Sequence, residues 1–331
     1  MLGVEEAAFA RAAQADDAAG FAILTEQYRR ELLVHCYRML ASYEDAQDLT
    51  QETFLRAWDR RSTFAGRALR AWLYRIATNA CLDFLAKRRD RIPIPADIPG
   101  ETEVRYLQPY PDSMLPAEST ISRETVELAF IVAVQHLPAL QRAVLILRDV
   151  LGWPAHETAE ALDTSVPSAN SALQRARTTM REKLPADRLD WRQPKNRELS
   201  VEERTLVDRY VVAHENGDLD GLAALLRDDI RFAMPPEPGL FIGRDVCWKF
   251  WLDSGFGTPP MDEWRAIRTT VNLQPAVGMY VRDETGPGWR AGALDILTVV
   301  DGLVETIWTF GPDTFESLGL PMHLDSDQIR S

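Results

Sequence analysis

Hydrophobic residues recur every three or four positions through the N-terminal part of the chain. Phe21, Leu24 and Leu32 belong to the first apolar stripe of this kind. This spacing places the side chains on one face of a helix, where they can pack against a core. We therefore predict helices between residues 17 and 91 and between residues 122 and 184. The later stripes are Leu73, Ile76, Ala77, Ala80 and Phe84, then Val126, Phe130, Ala133, Val134 and Leu137.

Prolines separate the helical segments from each other and from the rest of the chain. Six of them lie between residues 92 and 121, and Pro185 and Pro194 interrupt a second interval. Because proline lacks an amide hydrogen and clashes with the preceding helical turn, neither interval can form a regular helix. We predict an extended first linker and a second, shorter linker, which separate three domains. The predicted boundaries are 1–91, a linker over 92–121, 122–184, a linker over 185–199, and 200–331.

The hydrophobic pattern changes from helical to alternating towards the C-terminus. Ser200 and Glu203 have the spacing of a capping box at a helix start, and a short helix is predicted over 220–226. Alternating segments follow, and Asp301-Gly302 between two of them is typical of a two-residue hairpin turn. Helices followed by an antiparallel meander indicate an α+β domain. The predicted strands are residues 265–274, 277–283, 290–300 and 303–310.

Composition indicates a soluble protein of two or three domains. The chain has 331 residues, of which 46% are hydrophobic and 26% charged. The sequence lacks an apolar run of membrane-spanning length and a secretory signal pattern at its acidic N-terminus, so we expect a cytoplasmic protein. Cys36, Cys81 and Cys247 lie far apart, which fits reduced thiols, and we predict no metal site and no cofactor.

The net charge of −13 is distributed unevenly along the chain. Residues 198–331 carry 11 Lys and Arg against 23 Asp and Glu, whereas residues 1–197 carry 26 against 27. Within that first part, residues 56–91 hold ten basic side chains and three acidic ones, and a second basic stretch covers 175–197. Two local basic surfaces indicate nucleic-acid binding, and a tethered acidic domain could screen them.

An acidic helix face directly precedes the first basic segment. Asp45, Asp48 and Glu52 follow each other at steps of three and four in the segment DAQDLTQETFLRAW. These acids could simply favour the helix start. The next loop, residues 59–67, combines arginines with Phe64. Arginines neutralise phosphates, and aromatic rings stack on unpaired bases with roughly 1–3 kcal/mol each, so this segment is suited to single-stranded nucleic acid.

A helix-turn-helix pattern occupies the second helical domain. The segment HETAEAL is followed by the turn residues Asp163, Thr164 and Ser165, and then by a helix over residues 167–183. In this motif the last helix enters the major groove, with its N-terminal residues near base edges. The side chains of Arg175 and those that follow it are placed for phosphates.

The two segments together, joined by a proline-rich linker, resemble regions 2 and 4 of extracytoplasmic-function (ECF) sigma factors. The resemblance implies that core RNA polymerase and promoter DNA are the partners, and that the linker threads through the polymerase. Where the family often has glycine, the turn has Asp163, and Asn170 and Ala172 replace two basic residues of the recognition helix. The implied contacts with the polymerase clamp are Asp45, Asp48, Gln51 and Glu52. Those with the −10 element are Arg60, Arg61, Phe64, Arg67, Arg70, Trp72, Tyr74, Arg75, Asn79, Lys87 and Arg88. Those with the −35 element are Ser168, Asn170, Ser171, Gln174, Arg175, Arg177 and Arg181.

The C-terminal domain resembles the SnoaL-like cone fold, which implies a pocket and, when fused to a sigma factor, a regulatory tail. Counting back from the Asp301-Gly302 turn pairs Asp295 with Trp308, and a carboxyl buried there would have a raised pKa. The alternatives are an aspartate at a solvated rim and a histidine on a helix surface. Core packing also explains most of the domain's tryptophans. The possible pocket residues are His214, Trp248, Trp251, Asp295 and Trp308.

The sequence therefore predicts a multi-domain protein, in which two all-α sigma domains precede an α+β SnoaL-like cone. We interpret it as a non-enzymatic ECF sigma factor that binds core RNA polymerase and promoter DNA, without a membrane association. A helix-turn-helix regulator with a ligand-sensing tail is one alternative. An isomerase or cyclase of the SnoaL-like type with a DNA-binding head is another.

Overall fold

The computed structural model describes residues 7–9, 11–12, 15–64, 68–89, 106–116, 122–184, 198–237, 239–258, 263–283 and 286–325. The chain divides into two compact units. One comprises residues 1–95 and 114–195, and the other comprises residues 96–113 and 196–331. The first is helical and the second is built on a sheet. In the described part of the chain, no helix combines the length and the apolar character needed to cross a membrane.

In the described part of the N-terminal half of the helical unit, four helices follow the helical residues 7–9 and 11–12. Helix α3 begins after Ser42, whose side chain accepts a hydrogen bond from the amide of Asp45 at 3.2 Å. Ala41, in the left-handed conformation with φ of 60°, makes the tight turn from the preceding helix. Most residues of the apolar stripes predicted here are buried, as Phe21, Leu32 and Leu73 illustrate, whereas Leu24 and Phe84 are half-buried. The helices are α1 (Ala18–Glu26), α2 (Arg29–Leu40), α3 (Tyr43–Asp59) and α4 (Leu69–Arg89).

The helix-turn-helix forms where it was predicted. Asp163 in its turn has φ of 48°, a left-handed conformation that glycine adopts most readily and that aspartate tolerates. Ser165 then caps the last helix by accepting from the amide of Ser168 at 3.3 Å. The elements are α5 (Leu128–Gln135), α6 (Ala139–Leu145) continued by a π-helical turn (Ile146–Val150), α7 (Ala155–Ala161) and α8 (Val166–Lys183).

Two buried arginines join the halves of the helical unit. Arg38 of α2 donates from Nε to the carbonyl oxygen of Thr125 at 3.2 Å. Arg142 of α6 is 6% exposed, and burial lowers its pKa to about 10, which leaves it charged at neutral pH. Backbone carbonyls from both halves therefore compensate its charge. They are the carbonyl oxygens of Val134 (3.1 Å), Gln135 (3.0 Å), Leu137 (3.2 Å) and, across the two halves, Met39.

The second unit is one sheet with helices packed against it. Its strand order is β2-β1-β6-β5-β4-β3, with β7 pairing β5 at one end. All pairs are antiparallel except β1 with β6, so the sheet is mixed and not the simple meander that was predicted. The helices are α9 (Val201–Glu215), α10 (Leu219–Ala223) and α11 (Arg244–Asp253). The strands are β1 (Leu226–Ala233), β2 (Leu240–Ile242), β3 (Trp264–Val271), β4 (Gln274–Arg282), β5 (Trp289–Val300), β6 (Leu303–Phe310) and β7 (His323–Leu324).

Local predictions for this unit are confirmed where they rest on neighbouring residues. Ser200 and Glu203 form a complete capping box, with bonds of 3.1 and 2.7 Å. Asp301 and Gly302 both have positive φ, 51° and 71°, as a two-residue hairpin turn of this type requires. The short helix ends at Ala223, earlier than predicted, because the chain enters β1 at Leu226.

The predicted pairing of Asp295 with Trp308 is wrong by one residue. A β-bulge between Thr298 and Val299 shifts the register, so Asp295 lies opposite Thr309 and Trp308 lies opposite Ile296. Because side chains alternate between the faces of a strand, Trp308 is on the face opposite to that of Asp295.

The middle of the first linker belongs to the sheet unit, and its extended part ends in a 3₁₀ turn over Asp112–Met114. Pro111 forms an isolated antiparallel bridge with Val271 at the end of β3. Tyr110 is fully buried, its amide donates to Oδ1 of Asn272 at 2.7 Å, and its carbonyl accepts from the Asn272 amide at 3.1 Å. The amide of Leu273 donates to Oδ1 of Asp112 at 2.9 Å. Residues 110–112 are thus fixed to the β3–β4 turn.

Candidate functional site

The acidic face of α3 points away from the core. Its opposite face buries Ala46, Thr50, Thr53 and Ala57, at helical spacing. The four residues predicted to contact the clamp are exposed or half-buried. Glu52 pairs with Arg56 (Nε–Oε1 2.8 Å), and Arg56 also pairs with Asp83 of α4 at 2.8 Å. The four predicted residues, Asp45, Asp48, Gln51 and Glu52, therefore share one accessible helix surface.

The loop that follows α3 is held by an aromatic cluster. Phe64 packs against Phe9 and Trp72, with ring centroids 4.8 and 5.5 Å away. The guanidinium of Arg61 lies 4.2 Å from the ring centroid of Trp58 and pairs with Asp16. Phe64 and Trp72 are half-buried, which leaves part of each ring accessible. Arg60 is exposed, whereas Arg67 lies outside the described residues.

The residues predicted on α4 are in different environments. Arg70 pairs with Glu31 (Nη2–Oε2 2.7 Å) and lies over the ring of Tyr74, 5.1 Å from its centroid. Tyr74 is 2% exposed, and burial raises the pKa of its hydroxyl. Lys87 is exposed; the side chain of Arg88 lies outside the described part of the helix. Tyr74 therefore belongs to the core in this conformation.

The helix-turn-helix covers part of α4. The rings of Tyr74 and Trp153 are in edge contact, with centroids 6.0 Å apart. Arg75 pairs with Glu160 of α7 at 3.7 Å, and Nδ2 of Asn79 donates to the carbonyl oxygen of Ala161 at 3.4 Å. Three side chains predicted to read the −10 element are thus engaged by the half that carries the −35 residues.

Helix α8 presents an exposed polar face along most of its length. Ala169, Leu173 and Ala176 are buried on the other face. Arg177 was also predicted to contact phosphate, but here it forms a bidentate pair with the buried Asp149, with bonds of 2.6 and 2.8 Å. The π-helical turn contains this aspartate. Ser168, Asn170, Ser171, Gln174, Arg175 and Arg181 are all exposed.

A cavity of about 180 Å³ lies between the sheet and the helices of the second unit. Aromatic and aliphatic side chains form most of its wall. Asp295 lies in it at 8% exposure, and its carboxylate accepts from the hydroxyls of Tyr210 (2.9 Å) and Thr309 (2.5 Å). Burial raises the pKa of Asp295, and the two hydroxyls partly offset this effect.

His214 lines the same cavity and is neutral at neutral pH. Burial lowers its pKa to about 4. Its Nδ1 lies 2.9 Å from the carbonyl oxygen of Tyr210, so in the neutral ring Nδ1 carries the hydrogen and Nε2 keeps a lone pair. Asp295 and His214 are therefore both buried, in contrast to the alternatives of a rim aspartate and a surface histidine.

The structure brings together three of the five predicted pocket residues. His214, Trp251 and Asp295 line the cavity, whereas Trp248 packs on Trp251 with ring centroids 5.8 Å apart and Trp308 faces away. The sequence interpretation missed Tyr210 and Thr309, both bonded to Asp295. Only the bulge in the β5–β6 pair, which cannot be read from the turn, places Thr309 opposite Asp295.

In the described residues, no group of three or more His, Cys, Asp or Glu side chains is placed to hold a metal ion. The three cysteines are buried free thiols.

Comparison with known proteins identifies the class of the helical unit. The family Sigma-70 region 2 matches residues 24–91, and Sigma-70 region 4 matches residues 127–180. The helical unit is therefore that of a sigma-70-type transcription factor, as the sequence motifs predicted.

Full-length relatives then define the family. The ECF RNA polymerase sigma factor SigG of Mycobacterium tuberculosis is 42% identical over 327 residues, covering 93% of this chain and 86% of SigG. SigJ of the same species is 30% identical over 305 residues, covering 88% and 91%. The crystal structure of SigJ has the same fold, with a TM-score of 0.62 at 24% identity over 89% of this chain and 97% of that one. The chain belongs to the ECF RNA polymerase sigma factors.

Proposed function

We propose that this sigma factor is regulated by its own cone domain, which holds the linker between the two sigma regions. As an ECF sigma factor, the chain binds core RNA polymerase and directs it to promoters for transcription initiation. That role requires no catalysis by the sigma regions. Acting on the polymerase, the protein works in the cytoplasm.

The acidic face of α3 is the proposed contact with the polymerase clamp. Asp48 and Gln51 are exposed at its centre, and Asp45 and Glu52 lie beside them. Carboxylates on an accessible helix surface can meet a basic partner without rearrangement of the core. The buried opposite face fixes the rotation of the helix, so the four side chains keep one orientation.

The proposed DNA contacts require the helical unit to open. The −10 and −35 elements are separated by roughly 80 Å of duplex, at 3.4 Å per base pair. Modules in direct contact, as Tyr74 and Trp153 are, cannot reach both elements at once. We propose that promoter binding separates α7 from α4, which frees Arg75 and Asn79 for the −10 strand while α8 meets the −35 element. Tyr74 becomes accessible only on that separation.

The linker contact is the observation that carries the regulatory proposal. Linker residues that we propose lie along the polymerase during initiation are bonded here to the turn at Asn272 and Leu273. Each such bond contributes about 1 kcal/mol, which changes the ratio of molecules with a bound linker to molecules with a free linker by a factor of roughly five. A cone that retains the linker therefore competes with the polymerase for it, and we propose that it inhibits initiation.

Weakening this contact tests the proposal. Asn272 has φ of 56°, so Asn272→Gly removes its amide group without backbone strain. We expect Asn272→Gly combined with Asp112→Ala to increase run-off transcripts, made with saturating core polymerase, by several-fold. Asn216→Ala, at an exposed helix end of the same domain, is the matched control. Equal transcript yields from the double variant and the unmodified chain would contradict an inhibitory contact.

A further inference from the structure

The size and wall of the cone cavity fit one small ring. Its volume of about 180 Å³ is similar to that of engineered apolar cavities of roughly 150 Å³, which bind benzene. Phe250, Trp251, Phe256 and Trp264 supply aromatic faces, and no charged side chain other than Asp295 appears in the described lining. A mostly apolar guest gives up few hydrogen bonds to water when it enters, so the apolar wall has few to replace.

Asp295 and His214 offer hydrogen-bond acceptors to a guest in the cavity. Tyr210 and Thr309 already direct their hydroxyl hydrogens to the two oxygens of Asp295. Each carboxylate oxygen can accept a second hydrogen bond, and the neutral ring of His214 keeps a lone pair on Nε2. The hydrogens of Tyr210, Thr309 and His214 are thus already donated, and a guest with a hydroxyl group finds an acceptor in Asp295.

We propose that the cavity binds a small, mostly apolar molecule of about one aromatic ring, whose hydroxyl group donates a hydrogen bond to Asp295. The two hydroxyl partners fix the carboxylate in the wall, so it is oriented before the ligand arrives. The aromatic side chains select the size and apolar character of the ligand, and Asp295 selects its hydroxyl. This binding site does not depend on the linker contact, and its test uses neither polymerase nor DNA.

Three probes of similar shape separate the contribution of the hydroxyl group from that of the apolar ring. Binding of p-cresol, toluene and 4-methylanisole to the full chain is measured by titration calorimetry and by saturation-transfer NMR. 4-Methylanisole keeps the oxygen of p-cresol but has no hydroxyl hydrogen. We expect p-cresol to bind at least tenfold more tightly than either of the other two, because only p-cresol can donate to the carboxylate. No binding of p-cresol, or equal affinity for p-cresol and 4-methylanisole, overturns the proposal.

Two variants test whether the binding occurs in the cavity. Ala293 lines it, and Ala293→Phe fills its volume without changing a polar group; we expect binding to be lost. Asp295→Asn keeps the shape but introduces a donor, so the preference for p-cresol over 4-methylanisole should disappear. Ile242→Ala, at an exposed position outside the lining, is the control for both. Unchanged binding by a folded Ala293→Phe protein would contradict the proposed site. If that variant does not fold, the proposal is contradicted when Asp295→Asn keeps the same preference for p-cresol over 4-methylanisole.

Discussion

His35 of α2 is fully buried, and its bonds define its protonation state. Its Nε2 lies 2.8 Å from Oγ1 of Thr78, whose own hydroxyl donates to the carbonyl oxygen of Tyr74 at 2.7 Å. The Thr78 oxygen must therefore accept from His35, which places the hydrogen on Nε2. Burial, with a smaller contribution from the charge of Arg38, lowers the pKa of His35 to about 3. The imidazole is thus neutral in the folded protein.

This histidine should make the helical unit sensitive to acid. The folded pKa of about 3 is below the ordinary value of 6.5, so between these values the unfolded chain binds more protons and stability falls as the pH falls. We expect the free energy of unfolding to lose up to roughly 1 kcal/mol per pH unit through His35 between about pH 6 and about pH 4. Urea titrations followed by circular dichroism measure it.

His35→Gln is the matched variant for this prediction. Glutamine can still donate to Thr78 but does not titrate, so its unfolding free energy should decline less steeply with acid than that of the unmodified chain. The carboxyl groups contribute equally to both proteins, and the difference in slope reports His35 alone. Identical slopes would mean that position 35 does not titrate between the folded and unfolded states.

At the scale of elements, short-range signals in the sequence predicted the structure well. The helix after the Asp163 turn begins at Val166, within one residue of the prediction, because the N-cap Ser165 and Pro167 act on adjacent backbone. The hairpin at Asp301-Gly302 forms for the same local reason. Such features depend on dihedral preferences of neighbouring residues, and tertiary packing did not override them.

Features that depend on distant partners could not be predicted in the same way. No strand was predicted before Trp264, yet β1 pairs with β6 in parallel, a pairing that depends on residues far along the chain. The linker was predicted to be extended, but nothing in its sequence identifies Asn272 as its partner. The bulge at Thr298 shifts the pairing of β5 with β6 by one residue, so that Thr309 and not Trp308 lies opposite Asp295. The first two cases depend on long-range contacts, and the third depends on an irregularity within the β5–β6 hairpin itself.

Helix α3 allows a direct test of the proposed clamp contact. Asp48→Arg reverses a charge on the accessible face while the buried positions of the helix stay unchanged. We expect its affinity for core polymerase to fall by roughly tenfold at low salt, because like charges then face each other, and the loss to shrink as salt is raised. Fluorescence anisotropy of the labelled sigma factor measures both the affinity at low salt and its change as salt is raised.

The control for this variant is a charge reversal elsewhere. Asp220→Arg makes the same change of net charge at an exposed position of the cone domain. Its affinity should match that of the unmodified chain. If both variants weaken binding equally, the effect is due to net charge, and the α3 face is not the specific contact.

For the whole molecule, the proposed opening of the helical unit is the event on which function depends. The buried Arg142, bonded to the carbonyl of Met39, and the pair Arg75–Glu160 hold its two halves together. The exposed Arg75–Glu160 pair contributes at most about 1 kcal/mol. Separation of the two halves also removes the Met39 carbonyl from the guanidinium of Arg142, which then lacks one of its acceptors. Polymerase and DNA must supply the free energy that separates the halves, and this requirement limits promoter binding by the free factor.

Locking the two halves together tests this requirement. Asn79 and Glu160 lie at the contact between α4 and α7, so a chain with Asn79→Cys and Glu160→Cys can be joined there by a short bismaleimide. The native Cys36, Cys81 and Cys247 are fully buried and should not react. We expect the cross-linked chain to lose at least tenfold in run-off transcription, while each single-cysteine variant treated with the same reagent keeps its activity. Because −10 and −35 DNA cannot both be reached by joined modules, full activity of the cross-linked chain would show that initiation proceeds without opening.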